Sequence, residues 1–230
     1  MPTKTATIEQ FTVRLKAGDV FLPVDVCVPS GATGLVLFAH GSGSGRFSPR
    51  NRYVANILNE GGIGTVLADL PTAREEAVDS QTARLRFDIR LLGERVVAIT
   101  DWIAGQEQLA HLPLGYFGAS TGAAAALKAA AVRASSVGAI VSRGGRPDLA
   151  GQALGRVSAP CLFIVGGLDL EVLQLNREAM AQLPMDTKRR LEIVPGATHL
   201  FEEAGTLDTV ARLARDWFQR HLHSQSETLN

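Results

Sequence analysis

Gly118-Ala119-Ser120-Thr121-Gly122 spells G-x-S-x-G between an apolar run and an alanine-rich stretch. A serine raised on a sharp strand-to-helix turn takes a strained backbone, so its neighbours must be very small. Gly118, Gly122, Ala123 and Ala124 meet that need. The competing reading is a glycine-rich helix start with Ser120 as an ordinary N-cap, and the motif alone leaves both open. A nucleophilic serine also needs a base to take its proton, and neutral imidazole is the usual choice. Five histidines are available. His221 and His223 lie in a polar tail expected to fray, His111 precedes an apolar run, and His40 reads as a structural loop residue. His199, in Val194-Pro195-Gly196-Ala197-Thr198-His199-Leu200, follows the last apolar run; its alternative is a surface loop histidine. The imidazole must be held in one tautomer by an acid on its other nitrogen. Asp169, after the run Cys161–Gly167, fills that role by position. It competes with N-capping of a helix near Glu171, and Asp148 is the rival acid.

An acyl-transfer site further requires donors for the developing oxyanion. The loop His40-Gly41-Ser42-Gly43-Ser44-Gly45 follows a strand, and glycine permits close backbone approach there. The backbone amides of Ser42 and Thr121 are the expected pair. A phosphate cradle is disfavoured, since neither a full G-x-G-x-x-G nor a Lys-Ser/Thr ending is present. Arg46, Arg50 and Arg52 follow this loop, while Arg143 and Arg146 follow a later run. Arg46, Arg143 and Arg146 are candidate grips on a substrate carboxylate. Surface ion pairing or loop anchoring is the alternative for all of them.

The elements that must position these residues follow from periodicity. Residues 8–15 and 20–28 alternate apolar and polar around Gly18-Asp19, which predicts an antiparallel hairpin. Pro23 suits an edge strand. Short continuous apolar runs at 35–39, 64–68, 113–117, 137–141, 161–165 and 191–194 suit parallel strands covered on both faces. Ser48-Pro49 opens a helix that Gly61-Gly62 ends. Leu85, Ile89, Leu92, Val96, Ile99 and Ile103 form one face of a long helix, and Val210, Leu213 and Trp217 one face of the last. Alternating strands and helices imply a mostly parallel, doubly wound sheet of about eight strands, made mixed by the hairpin. Ligands bind such sheets beyond the carboxyl ends of the strands, where Ser42, Ser120, Asp169 and His199 all fall.

Composition narrows the classes. The 230 residues carry 23 basic and 23 acidic side chains, so no net charge points towards nucleic acid. No apolar run approaches the roughly 20 residues that cross a bilayer, and the polar start lacks the core of a secretory signal. Cys27 and Cys161 have no ligand spacing and read as buried free thiols, consistent with the cytoplasm. A single domain over 1–230 is expected, with about 221–230 as a tail, and neither metal nor organic cofactor is called for.

The HG-rich loop at 40–45, the serine turn at 118–122, the Asp169 segment and the Gly-Ala-Thr-His segment together resemble the α/β-hydrolase superfamily. The likeness is greatest to its compact dienelactone-hydrolase-like branch and spans nearly the whole chain. It implies that fold and a Ser120–His199–Asp169 triad, met in the order Ser, Asp, His. Dienelactone hydrolases proper carry cysteine at the turn. Ser120 stands there in this chain, so the resemblance carries the fold and not the dienelactone substrate. Some relatives of this kind are fused to a phosphoribosyltransferase domain, of which these residues show no sign. The expected activity is cleavage of an ester, lactone or thioester of a small molecule through an acyl-enzyme. An acyltransferase, a small peptidase and a non-catalytic binder are the rivals. The short stretch after 137–141 leaves no room for a large cap domain, and polar residues 71–82 are expected to form a flap.

Overall fold

The computed structural model describes residues 8–82 and 84–222. One eight-stranded sheet runs through it in the order β1-β2-β4-β3-β5-β6-β7-β8. Strands β1 (Ile8–Ala17) and β2 (Val20–Pro29) form the antiparallel hairpin, with Gly18 supplying a positive φ of 63° at the turn. β2 then pairs antiparallel with β4 (Gly64–Ala68). The remaining strands are parallel: β3 (Leu35–Ala39), β5 (Leu114–Ala119), β6 (Val137–Arg143), β7 (Cys161–Gly166) and β8 (Arg189–Val194).

Pro23 corrects one expectation, since β2 lies inside the sheet and not at its edge. The chain tolerates it because β2 pairs with β4 only over Val24–Cys27, so the missing N–H falls outside that ladder. Strands β5 and β6 also run two residues further than their apolar runs. This extension carries Ser120 and Arg143 to the carboxyl rim of the sheet.

Helices cover both faces. On one side lie α3 (Ile89–Ala104) and α4 (Thr121–Val132), packed on Leu37, Val66, Tyr116 and Ile140. On the other, α1 (Pro49–Glu60) and α6 (Thr206–His221) pack on Val36, Phe38, Phe117 and Val141. Consecutive strand residues such as Tyr116 and Phe117 thus serve opposite layers, as the period of two requires. Ala123–Ala126 are fully buried, so α4 lies close to the sheet without side chains to hold it off. Helix α5 (Leu170–Ala181) follows β7.

Three elements differ from expectation. The long helix begins at Ile89, because the Asp88 carboxylate caps the Leu91 N–H at 2.9 Å; Leu85–Phe87 form a separate 3-10 turn. Residues 73–82 form helix α2 (Ala73–Thr82), opened by a reciprocal Thr72–Glu75 capping box at 2.7 and 3.2 Å. His221 remains helical and its ring lies 4.3 Å from that of Trp217, whereas His223 and the rest of the expected tail lie outside the described residues. Between β6 and β7 there is only a kinked 3-10 stretch, Pro147–Arg156, and no cap.

Candidate active site

Ser120 has φ 50° and ψ −124°, a combination that costs an L-residue strain. It occupies the N-cap position of α4, yet its side chain makes no capping hydrogen bond. The hydroxyl has no hydrogen-bond partner among the described residues. The flanking glycines explain how such a turn packs. A Cβ on Gly122 would strike the carbonyl oxygens of Ala39 and His40, and one on Gly118 would strike the Ala123 backbone. The Ser120 N–H is taken by the Arg143 carbonyl at 3.2 Å, and its own carbonyl accepts the Arg146 N–H at 3.0 Å. The end of β6 and the loop that follows it therefore fix the turn.

His199 and Asp169 meet. Nδ1 of His199 lies 2.6 Å from Oδ2 of Asp169, and the Asp169 side chain is mostly buried while the imidazole is partly exposed. Asp169 sits at the N-cap of α5 but, like Ser120, does not cap it. The loops that carry the pair are joined to each other. Leu168 donates its N–H to Ala197 O at 3.0 Å and Gly167 to Val194 O at 2.8 Å. Gly166 has no space for a Cβ beside the Ala197 and Thr198 carbonyls. Glu203, not anticipated from sequence, anchors the histidine loop by accepting from the Thr198 hydroxyl (2.6 Å) and N–H (3.1 Å). The Thr198 hydroxyl bond holds the Glu203 carboxyl below its ordinary range.

The imidazole and the serine share a neighbour. A Cβ built on Gly144 would lie 3.7 Å from Cε1 of His199 and 3.0 Å from its carbonyl oxygen. Gly144 directly follows Arg143, the acceptor of the Ser120 N–H. Nδ1 faces the acid, which leaves Nε2 as the nitrogen available to a proton donor.

The predicted oxyanion pair is also brought together, with Ser42 Oγ 3.1 Å from Thr121 Oγ1. Gly41 packs so closely on the turn that a Cβ there would come within 2.9 Å of Ser120 Cβ. Thr121 is the first residue of α4, so its N–H has no intrahelical acceptor. His40 is structural: Nε2 accepts the Leu70 N–H at 2.9 Å and Nδ1 faces the Gly41 carbonyl at 3.0 Å. Burial pushes its pKa below the ordinary value, so it holds the loop as a neutral ring.

The arginines divide. Arg46 is ion-paired with Asp25 and Asp69 and stacks 4.0 Å from the Phe47 ring centroid, and Arg146 makes a two-bond pair with Asp148 at 2.9 and 2.8 Å. Both match loop anchoring, and the second pair occupies the rival acid Asp148. Arg143 differs. It is 7% exposed, its Nε and Nη1 have no hydrogen-bond partner, and burial followed by the nearby Arg50 charge pulls its pKa down to about 10.

Among the described residues no cluster of three His, Cys, Asp or Glu could hold a metal, and no helix is long and apolar enough to cross a membrane. Cys161 is buried and its thiol is pushed up to about 12 by that burial, while Cys27 is only partly buried, against expectation.

Comparison with known proteins gives the following. No family model matches the chain. A dienelactone hydrolase from Anabaena variabilis is 54% identical, aligns over 94% of this chain and 99% of its own, and superposes with a TM-score of 0.91. A Mycobacterium tuberculosis protein that bears a provisional phosphoribosyl transferase name is 55% identical over 210 residues, 91% of this chain. The chain spans about half the length of the curated relatives it matches, 46% in each case. Est1E from Butyrivibrio proteoclasticus shares the fold at 14% identity with a TM-score of 0.75 over 91% of this chain and 98% of its own.

Proposed function

The chain belongs to the dienelactone hydrolase family of α/β-hydrolases, and on that premise we propose that it is a serine hydrolase cleaving an ester, lactone or thioester of a small molecule. The observation that carries this reading is that two helix N-cap residues, Ser120 and Asp169, leave their helices uncapped. The serine hydroxyl is thereby free, and the aspartate is committed to His199. Binding alone requires neither.

In the proposed reaction, Nε2 of His199 takes the Ser120 hydroxyl proton as Oγ bonds to the substrate carbonyl carbon. The carbonyl π electrons move to oxygen, and the Ser42 and Thr121 amides receive that oxyanion. Collapse expels the leaving group, which takes the proton back from His199, and leaves an acyl-Ser120 ester. Water then gives a proton to His199 as it attacks the acyl carbon, and collapse returns that proton from His199 to Ser120 Oγ, releasing acid and free Ser120. Asp169 stays ionised and favours the imidazolium that forms in each half-reaction. Removing one oxyanion donor typically costs about 2.7–4 kcal/mol of transition-state stabilisation.

A panel of p-nitrophenyl esters, lactones, thioesters and aminoacyl amides tests the reading. Turnover of esters or lactones that disappears in Ser120→Ala supports it. Turnover of amides alone would move the assignment to a peptidase, and inactivity throughout would favour a binder.

A further inference from the structure

Size does not locate the substrate. A groove of about 490 Å³ lies between the β1–β2 hairpin and α1, and a depression of about 710 Å³ lies by Leu112, Pro113 and Gly138, at the amino ends of β5 and β6. Neither reaches the serine turn. A smaller cavity of about 120 Å³ adjoins it: the oxyanion loop from His40 to Ser44, whose Gly41 packs on Ser120, forms one of its walls. Its remaining walls are Pro71, helix α2 and the segment leading into α3, with Leu85, Leu91 and Leu92 supplying apolar surface.

This cavity is held together by a continuous chain of bonds. The Asp79 carboxylate of α2 accepts from the N–H groups of Leu85 (2.7 Å) and Arg86 (3.0 Å) and from Arg86 Nε (2.7 Å). The Arg86 carbonyl accepts from the Ser42 hydroxyl at 3.4 Å, and Ser42 meets Thr121 beside the nucleophile. The outer wall is therefore tied to the oxyanion loop, and Asp79 and Arg86 neutralise each other. Glu76, exposed at the rim, has no ion-pair partner among the described residues. Arg143 does not line this cavity.

We infer that this cavity receives the acyl group of the substrate, and that the group is short and uncharged, with about two to four carbons. This rests on the serine-hydrolase reading. An apolar cavity of about 150 Å³ takes one benzene ring. A space of 120 Å³ with apolar walls therefore admits an acetyl to butyryl chain and not an octanoyl one. An acyl carboxylate would meet the Glu76 charge without a cation to compensate it.

The test compares kcat/KM for p-nitrophenyl acetate, butyrate, hexanoate and octanoate, and for mono-p-nitrophenyl succinate, a butyrate analogue ending in a carboxylate. Misfit of a few methylenes in a pocket of this size is expected to cost at least about tenfold. Octanoate and the succinate should each fall at least that far below butyrate. Two partly buried wall residues sharpen the comparison. Leu91→Trp should lower the butyrate-to-acetate ratio about tenfold, and Leu85→Ala should raise the hexanoate-to-butyrate ratio. Labelling of Ser120 by a small alkyl fluorophosphonate runs in parallel. Labelling with equal rates on butyrate and octanoate, with preference for the succinate, or with ratios unmoved in both variants overturns the acyl assignment while leaving the nucleophile in place. Absence of both labelling and hydrolysis overturns the hydrolase reading and this inference together.

Discussion

Helices α1 and α4 both begin after a serine at the carboxyl side of the sheet, and the two serines behave in opposite ways. Ser48 has φ −52° and ψ 119°, and its hydroxyl accepts the Asn51 N–H at 3.4 Å. Ser120 has φ 50° and ψ −124°, and its hydroxyl accepts nothing from its helix. The aspartates repeat the pattern, with Asp88 capping α3 while Asp169 turns away from α5 to His199. A cap satisfies an otherwise orphaned donor and is typically worth about 1 kcal/mol. Forgoing it twice, and straining the backbone at Ser120, is explained if the freed groups serve chemistry. The comparison teaches that residue type and helix position do not decide a role; the backbone that presents the side chain does.

Mutations break or sharpen this contrast in order of expected effect. Ser120→Ala should lower kcat/KM by about 10⁴-fold or more, as loss of a nucleophile that acts within a triad does. It should leave stability within about 0.5 kcal/mol, since no bond to the helix is lost. Asp169→Asn should lower kcat by up to about 10⁴-fold with KM little changed, because the amide favours the wrong imidazole tautomer. Steady-state kinetics and denaturant melts on both variants check these values.

Smaller effects belong to stability. Gly122→Ala forces a methyl into the Ala39 and His40 carbonyls and should cost about 3 kcal/mol or more, read from urea unfolding. The capping pair reverses the pattern of the catalytic pair. Ser48→Ala and Asp88→Ala should each lose about 1 kcal/mol of stability while kcat/KM stays within about twofold. A large activity loss in Ser48→Ala with none in Ser120→Ala would invert the assignment.

The smallest effect concerns His40. Burial lowers its folded-state pKa below the ordinary 6.5, so between those two values the unfolded chain binds more protons than the folded one. Its contribution is intact above about pH 6.5 and is lost progressively as pH falls towards the folded value. Thermal midpoints measured from pH 8 to pH 5 should fall on the acid side, and less steeply in His40→Gln.

Much of this arrangement was legible in the sequence, for identifiable reasons. Short apolar runs marked the parallel strands because both their faces are covered, and Gly118 and Gly122 marked the turn because only glycine fits against those backbones. Asp169 and His199, each placed by the sequence just past a strand, meet in the fold. Pro23 misled because its tolerance depends on how far β2 pairs with β4, which is a tertiary fact. The Thr72–Glu75 capping box opens a helix where the polarity of the segment alone suggests a flap. Whether Ser120 caps or is free rests on a dihedral angle that no motif encodes. The fates of Arg46, Arg143 and Arg146 likewise depended on which carboxylates the fold brings within reach.

The central claim is that Ser120 is a nucleophile activated through His199. Fluorophosphonate labelling followed by peptide mass mapping tests it most directly. One adduct per chain on the peptide containing Ser120, lost in Ser120→Ala and strongly slowed in His199→Ala, is the expected result. An unlabelled protein, or an adduct on another serine with Ser120 unmodified, would contradict it.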